Sequence, residues 1–128
     1  MEFIRSKSTQ DTGLPFSDAV RVGDVLYLSG ALGNRPGTMA LVPGGIEAET
    51  RQMMDNIART LDAQGLTFDD VFKCLVMMKD MAEWPAFNKI YLEYFKSERL
   101  PARSAFGAAG LALGAAVEME CWAHVGKK

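Results

Sequence analysis

Apolar positions recur along this chain with two different periods, and the switches between them mark out the elements. The stretch SDAVRVGDVLYLSG (17–30) holds two alternating runs hinged on Gly23-Asp24, the signal of a β-hairpin. Before it, FIRS (3–6) is short and strand-like, and KSTQDTG reads as a polar linker. After it, ALGNRPGTMALVPGG (31–45) is loop by its Gly and Pro content, and it lacks the Gly-Lys-Ser/Thr ending of a phosphate-cradling loop. The period then changes. Over 46–64, Ile46, Met53, Met54, Ile57 and Leu61 share one helical stripe, while Glu47, Arg51, Asp55 and Arg59 fall elsewhere. Gly65 stops that helix, with Leu66 placed for the hydrophobic contact of a C-terminal cap.

Alternation returns in VFKCLVMMK (71–79), where Phe72, Cys74, Val76 and Met78 are expected on one face and Lys73 and Lys79 on the other. Asp80 with Glu83 resembles a capping box, and Pro85 is tolerated only in a first helical turn. A second helix therefore starts near 81–85 and runs to about Ser97. Its stripe of Trp84, Phe87, Ile90, Tyr91, Tyr94 and Phe95 reads as core. SAFGAAGLALG is glycine-rich and includes a strand, and VEMECWAHV (117–125) is the clearest strand of all. Its odd positions are apolar; its even positions are Glu118, Glu120, Trp122 and His124. The order implies an α+β domain with a mixed sheet and two helices on one face. The other face, carrying Glu118, Glu120, Trp122, His124, Lys73 and Lys79, is too polar for a core and too aromatic for plain solvent, a pattern that suits a subunit interface with a wet cleft.

Composition narrows the function classes. The 128 residues suit one domain, 1–128, large enough to bury about 65–70% of the unfolded surface. With 48% hydrophobic and 23% charged residues the chain is of ordinary globular type. A net charge of −2, with Lys127-Lys128 as the basic pair, argues against nucleic acid as a partner. No stretch has the length of a membrane span and MEFIRSKSTQ has no signal-peptide core, so a cytoplasmic location without membrane attachment is expected. Cys74 and Cys121 fall in strand patterns where free cysteine behaves as a small buried hydrophobe rather than as half of a disulfide. His124 is the single histidine, which argues against a metal site or a Ser–His or Cys–His pair.

What remains as candidate chemistry is an arginine and two glutamates. In LPARSAF (100–106), Arg103 stands at the mouth of a run with no other charge before Glu118. A permanently protonated planar fork beside apolar residues either reaches water or meets an anion. The plainer account is a surface arginine bonded to a loop carbonyl or a nearby Glu; the functional one is a bidentate clamp on a small carboxylate. Glu118 and Glu120, about 6.5–7 Å apart on one strand face, could suggest acid–base work, but alternating Glu on a strand is more often a solvated or salt-bridged face, and the spacing alone identifies no enzyme.

The motifs PFSDAVRVGDVLYLSG, ETRQMMDNI, FKCLVMMKDM, FNKIYLEYF and above all PARS followed by VEMECWAHV together make the chain resemble, over nearly its whole length, the Rid family of reactive intermediate deaminases, also called YjgF or L-PSP. The resemblance implies a chorismate-mutase-like α+β fold assembled as a homotrimer with clefts between subunits. It implies hydrolysis of small amino-acid-derived enamines and imines such as 2-aminoacrylate to 2-keto acids and ammonia, with no cofactor or metal. In that frame Arg103 holds the substrate carboxylate and Glu118 binds the attacking water and accepts its proton. Phe16, Ser29, Gly30, Asn88 and the backbone N–H of Ala105 line the cleft. Phe16 stands where well-studied members have tyrosine, keeping an aromatic wall without a phenolic donor, and Ala31 and Ala105 stand where many have Gln and Cys. The alternatives left open are a non-catalytic trimer that binds small carboxylates, and the endoribonuclease or translation-inhibitor activity assigned to some members.

Overall fold

The computed structural model describes residues 1–126; the basic pair Lys127-Lys128 lies outside them. The strands are β1 (Glu2–Ile4), β2 (Ala19–Val22), β3 (Val25–Leu28), β4 (Val71–Met78), β5 (Ala102–Gly107) and β6 (Val117–His124). The helices are α1 (Lys7–Thr12), α2 (Gly45–Ala63) and α3 (Trp84–Tyr91). The strands form one sheet in the order β1-β2-β3-β6-β4-β5, antiparallel except for the β4–β5 pair, which α3 connects. This is the mixed α+β sheet anticipated from the alternating runs.

Three local signals act as their chemistry dictates. Val22 pairs with Val25, so Gly23-Asp24 makes a two-residue turn, with Gly23 at φ +59° where a Cβ would be strained. At the end of α2 the Gly65 and Leu66 N–H groups donate to the Asp62 and Leu61 carbonyls at 3.0 and 2.9 Å, a Schellman closure that buries Leu66. Asp80 accepts from the Ala82 N–H at 2.9 Å, opening a 3₁₀ turn that leads into α3 with Pro85 in its first turn.

Three expectations are corrected. KSTQDTG is no linker: Ser6 caps it by accepting from the Thr9 N–H, Gly13 closes it at φ +69°, and the six residues between form α1. Asp18 ties that helix to the sheet by accepting from the Ser6 N–H and the Thr9 hydroxyl. Phe72 is 41% exposed rather than core, because the β4–β6 register shifts between Val71 and Lys73. The bulge inverts the phase of the strand start, so Val71 turns in and Phe72 out. The second helix ends at Tyr91, well short of Ser97. Beyond it Glu93 and Tyr94 bond back only three residues, which rotates Tyr94 and Phe95 onto Phe68 with ring centres 5.6 and 5.2 Å away.

The core lies between the sheet and the two longer helices. Met53, Met54, Ile57 and Leu61 of α2 and Phe87 and Tyr91 of α3 join Leu26, Cys74, Val76, Met119, Cys121 and Ala123 in one buried cluster. The opposite face has no helix. Tyr27, Trp122 and Lys73 stand in one row across it, and Met77, Glu118 and Phe106 in another, as the pairing register requires.

Candidate functional site

Arg103 belongs to the helix-covered face. It pairs in register with Cys74 of β4, so its side chain emerges on the core side, but β5 is the edge strand and the guanidinium reaches only half-buried ground. There it lies over α3, its central carbon 4.7 Å from the ring centre of Tyr91, 5.6 Å from Trp84 and 5.7 Å from Phe87. Among the described residues no carboxylate or carbonyl pairs with it. The surface-arginine account required such a partner, and within the described residues of this chain the fork has none. Nearby on α3, Asn88 holds a buried Oδ1 with no donor. Ala105, two residues along β5, faces Val76 and is half-buried.

Glu118 belongs to the other face, in the row where Met77 stands between it and the exposed Phe106. Burial pushes its carboxyl above the usual glutamate value, and the neighbouring Glu120 adds to the rise. The backbone after β3 is drawn beside it by paired bonds between Ala31 and Met119 at 2.8 and 3.1 Å. Gly30 then sits so close that a Cβ there would overlap Glu118 Oε2 unless that carboxylate swung aside. Ser29 is fixed by donating from Oγ to the Ser17 carbonyl at 2.6 Å, and Phe16 is exposed. Phe16, Ser29, Gly30 and Ala31 line one side of a cavity of about 300 Å³ that reaches in towards Asn56 and Ile57 of α2.

One chain therefore gathers its candidate residues into two groups. Arg103, Asn88 and Ala105 form one, at the β5 edge; Phe16, Ser29 and Gly30 form the other, and Glu118 adjoins it only at Gly30. Arg103 and Glu118 lie two strands and three register positions apart, on the order of 14 Å between Cα atoms, on opposite faces. Sequence reasoning missed the ring stack on Arg103. Its signal was present in the aromatic stripe of α3, which reads as core because nothing local says which strand residue will lie across it.

Under Arg103 the core holds a thiol pair. Cys74 and Cys121 face each other with Sγ atoms 3.5 Å apart, both buried and free, as their strand positions suggested. The Tyr91 hydroxyl donates to Cys74 Sγ at 3.8 Å. Burial, reinforced by Cys74, raises the Tyr91 phenol well above its usual value, so it stays neutral beside the guanidinium.

A mixed six-stranded sheet with helices on one side, an arginine at its edge and a half-buried glutamate on its open side define a single α+β domain. Comparison with known proteins makes this specific: residues 7–125 match the family model described as endoribonuclease L-PSP. The chain is 41% identical over 112 residues to the 2-iminobutanoate/2-iminopropanoate deaminase of Capra hircus, covering 88% of this chain and 81% of that one. Two solved structures superpose closely. RidA from the Antarctic bacterium Psychrobacter sp. does so at TM-score 0.88 and 31% identity, covering 97% of this chain and 99% of that one. The Rid-family protein YyfA from Yersinia pestis does so at TM-score 0.89 and 35% identity, with 97% and 98% covered. The chain belongs to the L-PSP, or Rid, family.

Proposed function

We propose that this protein is an enamine/imine deaminase that hydrolyses small amino-acid-derived enamines and imines to 2-keto acids and ammonia. The observation that carries the reading is Arg103, a guanidinium stacked on aromatic rings with no acceptor of its own among the described residues. A 2-imino acid presents a carboxylate next to its reacting carbon. Two parallel N–H···O bonds from the arginine would fix both the position and the plane of that carboxylate.

The reaction adds water across C=N and releases ammonia, leaving C=O; an enamine first takes a proton at carbon to become the imine. Glu118 is the group suited to receive the water proton and return it to the departing nitrogen. Its raised pKa brings it nearer the working pH, where a carboxylate is a better proton carrier. Asn88 Oδ1, buried without a donor, suits an N–H of the substrate or of a neighbouring subunit.

Because Arg103 and Glu118 of one chain lie on opposite faces, the reading requires a second copy to complete each site. A homotrimer joined through the open sheet faces would bring the edge of one subunit to the glutamate of the next. The exposed Phe106 and Tyr27 and the Lys73–Trp122 stack, 5.8 Å from ammonium to ring centre, support that face as an interface. The test is ammonia and keto-acid release from 2-aminoacrylate generated in situ, comparing native protein with Arg103→Ala, and sedimentation to measure the assembly. Acceleration lost in the variant is the expected result; full residual activity in Arg103→Ala would sink the assignment.

Phe16 and Ala105 favour one second reading, a carboxylate-binding trimer without turnover, since neither supplies a side-chain hydrogen bond at a position that lines the family's cleft. Binding of 2-oxobutanoate with no acceleration on any imine would select it.

A further inference from the structure

Trp84, Phe87 and Tyr91 follow one another at spacings of three and four on α3, so their rings form a single stripe, and the Arg103 side chain crosses it from β5. The ring centres of Phe87 and Tyr91 are only 5.6 Å apart, while each lies 5.7 and 4.7 Å from the guanidinium carbon. Rings on opposite sides of the cation would be about twice as far from each other, so both lie to the same side. Tyr91, the nearest, is 4% exposed, and its hydroxyl is tied to Cys74 Sγ, which holds the ring in place. A ring attracts the face of a guanidinium and leaves its in-plane N–H groups free. A buried carboxylate in the same place would hold the arginine as firmly but would consume the fork.

We propose that this aromatic stripe, with Tyr91 nearest the guanidinium, is the positioning element of the carboxylate site: it holds Arg103 from one side with its N–H fork turned outward. The stripe thereby sets the affinity for the substrate carboxylate and leaves the hydrolytic step to groups elsewhere. The inference rests on the deaminase reading for the identity of the ligand, but the stack itself can be measured without turnover. A cation–π contact contributes about 0.5–2 kcal/mol, which corresponds to about 2- to 30-fold in binding.

The experiment combines turnover of in-situ imine, calorimetric titration with 2-oxobutanoate, and the NMR signal of the Arg103 Nε proton. In the native protein that proton is expected upfield of a free arginine, because it lies over ring faces. Tyr91→Leu is expected to raise KM and the 2-oxobutanoate Kd about 5- to 30-fold with kcat within twofold of native, and to move the Nε signal towards the free value. Tyr91→Phe, which keeps the ring, is expected to restore affinity, as a merely structural role for the hydroxyl would not. Trp84→Leu, at a half-buried position, gives a smaller shift of the same kind and keeps the test available if Tyr91→Leu does not fold. Native KM and Kd in both leucine variants, a loss confined to kcat, or an unshifted native Nε signal would each overturn the proposal. A shifted signal in a native protein that neither binds 2-oxobutanoate nor turns over imines would instead overturn the deaminase reading, and with it the substrate role of the stripe.

Discussion

The two faces of the sheet follow opposite rules. On the helix-covered face every strand position from Leu26 to Ala123 is apolar and buried until the edge, where Arg103 appears and is met by rings rather than by a counter-charge. On the open face aromatic and charged residues mix with Leu75 and Met77, and Glu118 carries a raised pKa within one chain. The first face is complete in the monomer and supplies stability. The second has no helix over it, and on the deaminase reading it carries the group that would move a proton. On the deaminase reading, separating the two jobs would let a substrate site form without a polar hole in the core.

That contrast can be broken most sharply at Arg103. Losing two charge-assisted hydrogen bonds of about 1.5–3 kcal/mol each is expected to lower kcat/KM about 10²- to 10⁴-fold in Arg103→Ala. Circular dichroism should show the fold unchanged, since the side chain only lies across α3; a collapsed fold would mean that the edge belongs to the core after all. Leu61→Ala probes the covered face and is expected to cost about 2–5 kcal/mol in urea unfolding, through a cavity under α2. A cost below about 1 kcal/mol would deny that this face carries the stability.

Glu118→Gln tests the open face and is expected to lower kcat about 100-fold, within the usual range for a lost general base. Its effect on stability has the opposite sign. The folded carboxyl has a higher pKa than the unfolded one, so folding disfavours its charged form. The penalty is absent at pH below the ordinary glutamate value, grows as pH rises through the folded value, and is removed by the amide. The variant should therefore melt higher than native at neutral pH and alike in acid. The native rate should climb with pH through an apparent pKa above that of ordinary glutamate. A rate that is flat across that range would remove Glu118 from the chemistry. The smallest effect is expected at Phe72→Thr, on the outward side of the bulge, with chain stability changed by no more than about 0.5 kcal/mol. A loss of 3 kcal/mol or more would place Phe72 in the core, where simple alternation put it.

Phe72 also shows how far local pattern carries. Strict alternation assigned it inward, but a bulge adds a residue to one strand without leaving a mark in the hydrophobic period. The long helix predicted to Ser97 failed for a related reason: its apolar stripe continued, but contacts of Tyr94 and Phe95 with Phe68, remote in sequence, outweighed helical bonding. The Ser6–Gly13 helix was legible from its cap residues, and only the shortness of the segment and its polar composition hid it.

By itself the sequence determined the elements whose causes are local: the Gly23-Asp24 turn, the Gly65 stop, the alternation of β6 and the stripe of α2, each set by backbone sterics or by a period of two or 3.6 residues. Through its motifs it also singled out Arg103 and Glu118 as candidates. Only the tertiary structure decided that these two stand on opposite faces, that the stripe of α3 forms a floor for the arginine, and that Gly30 lies against the Glu118 carboxylate. Those facts depend on strand order and register, which come from contacts between residues far apart in the chain. No period along the sequence records which strand will lie beside which.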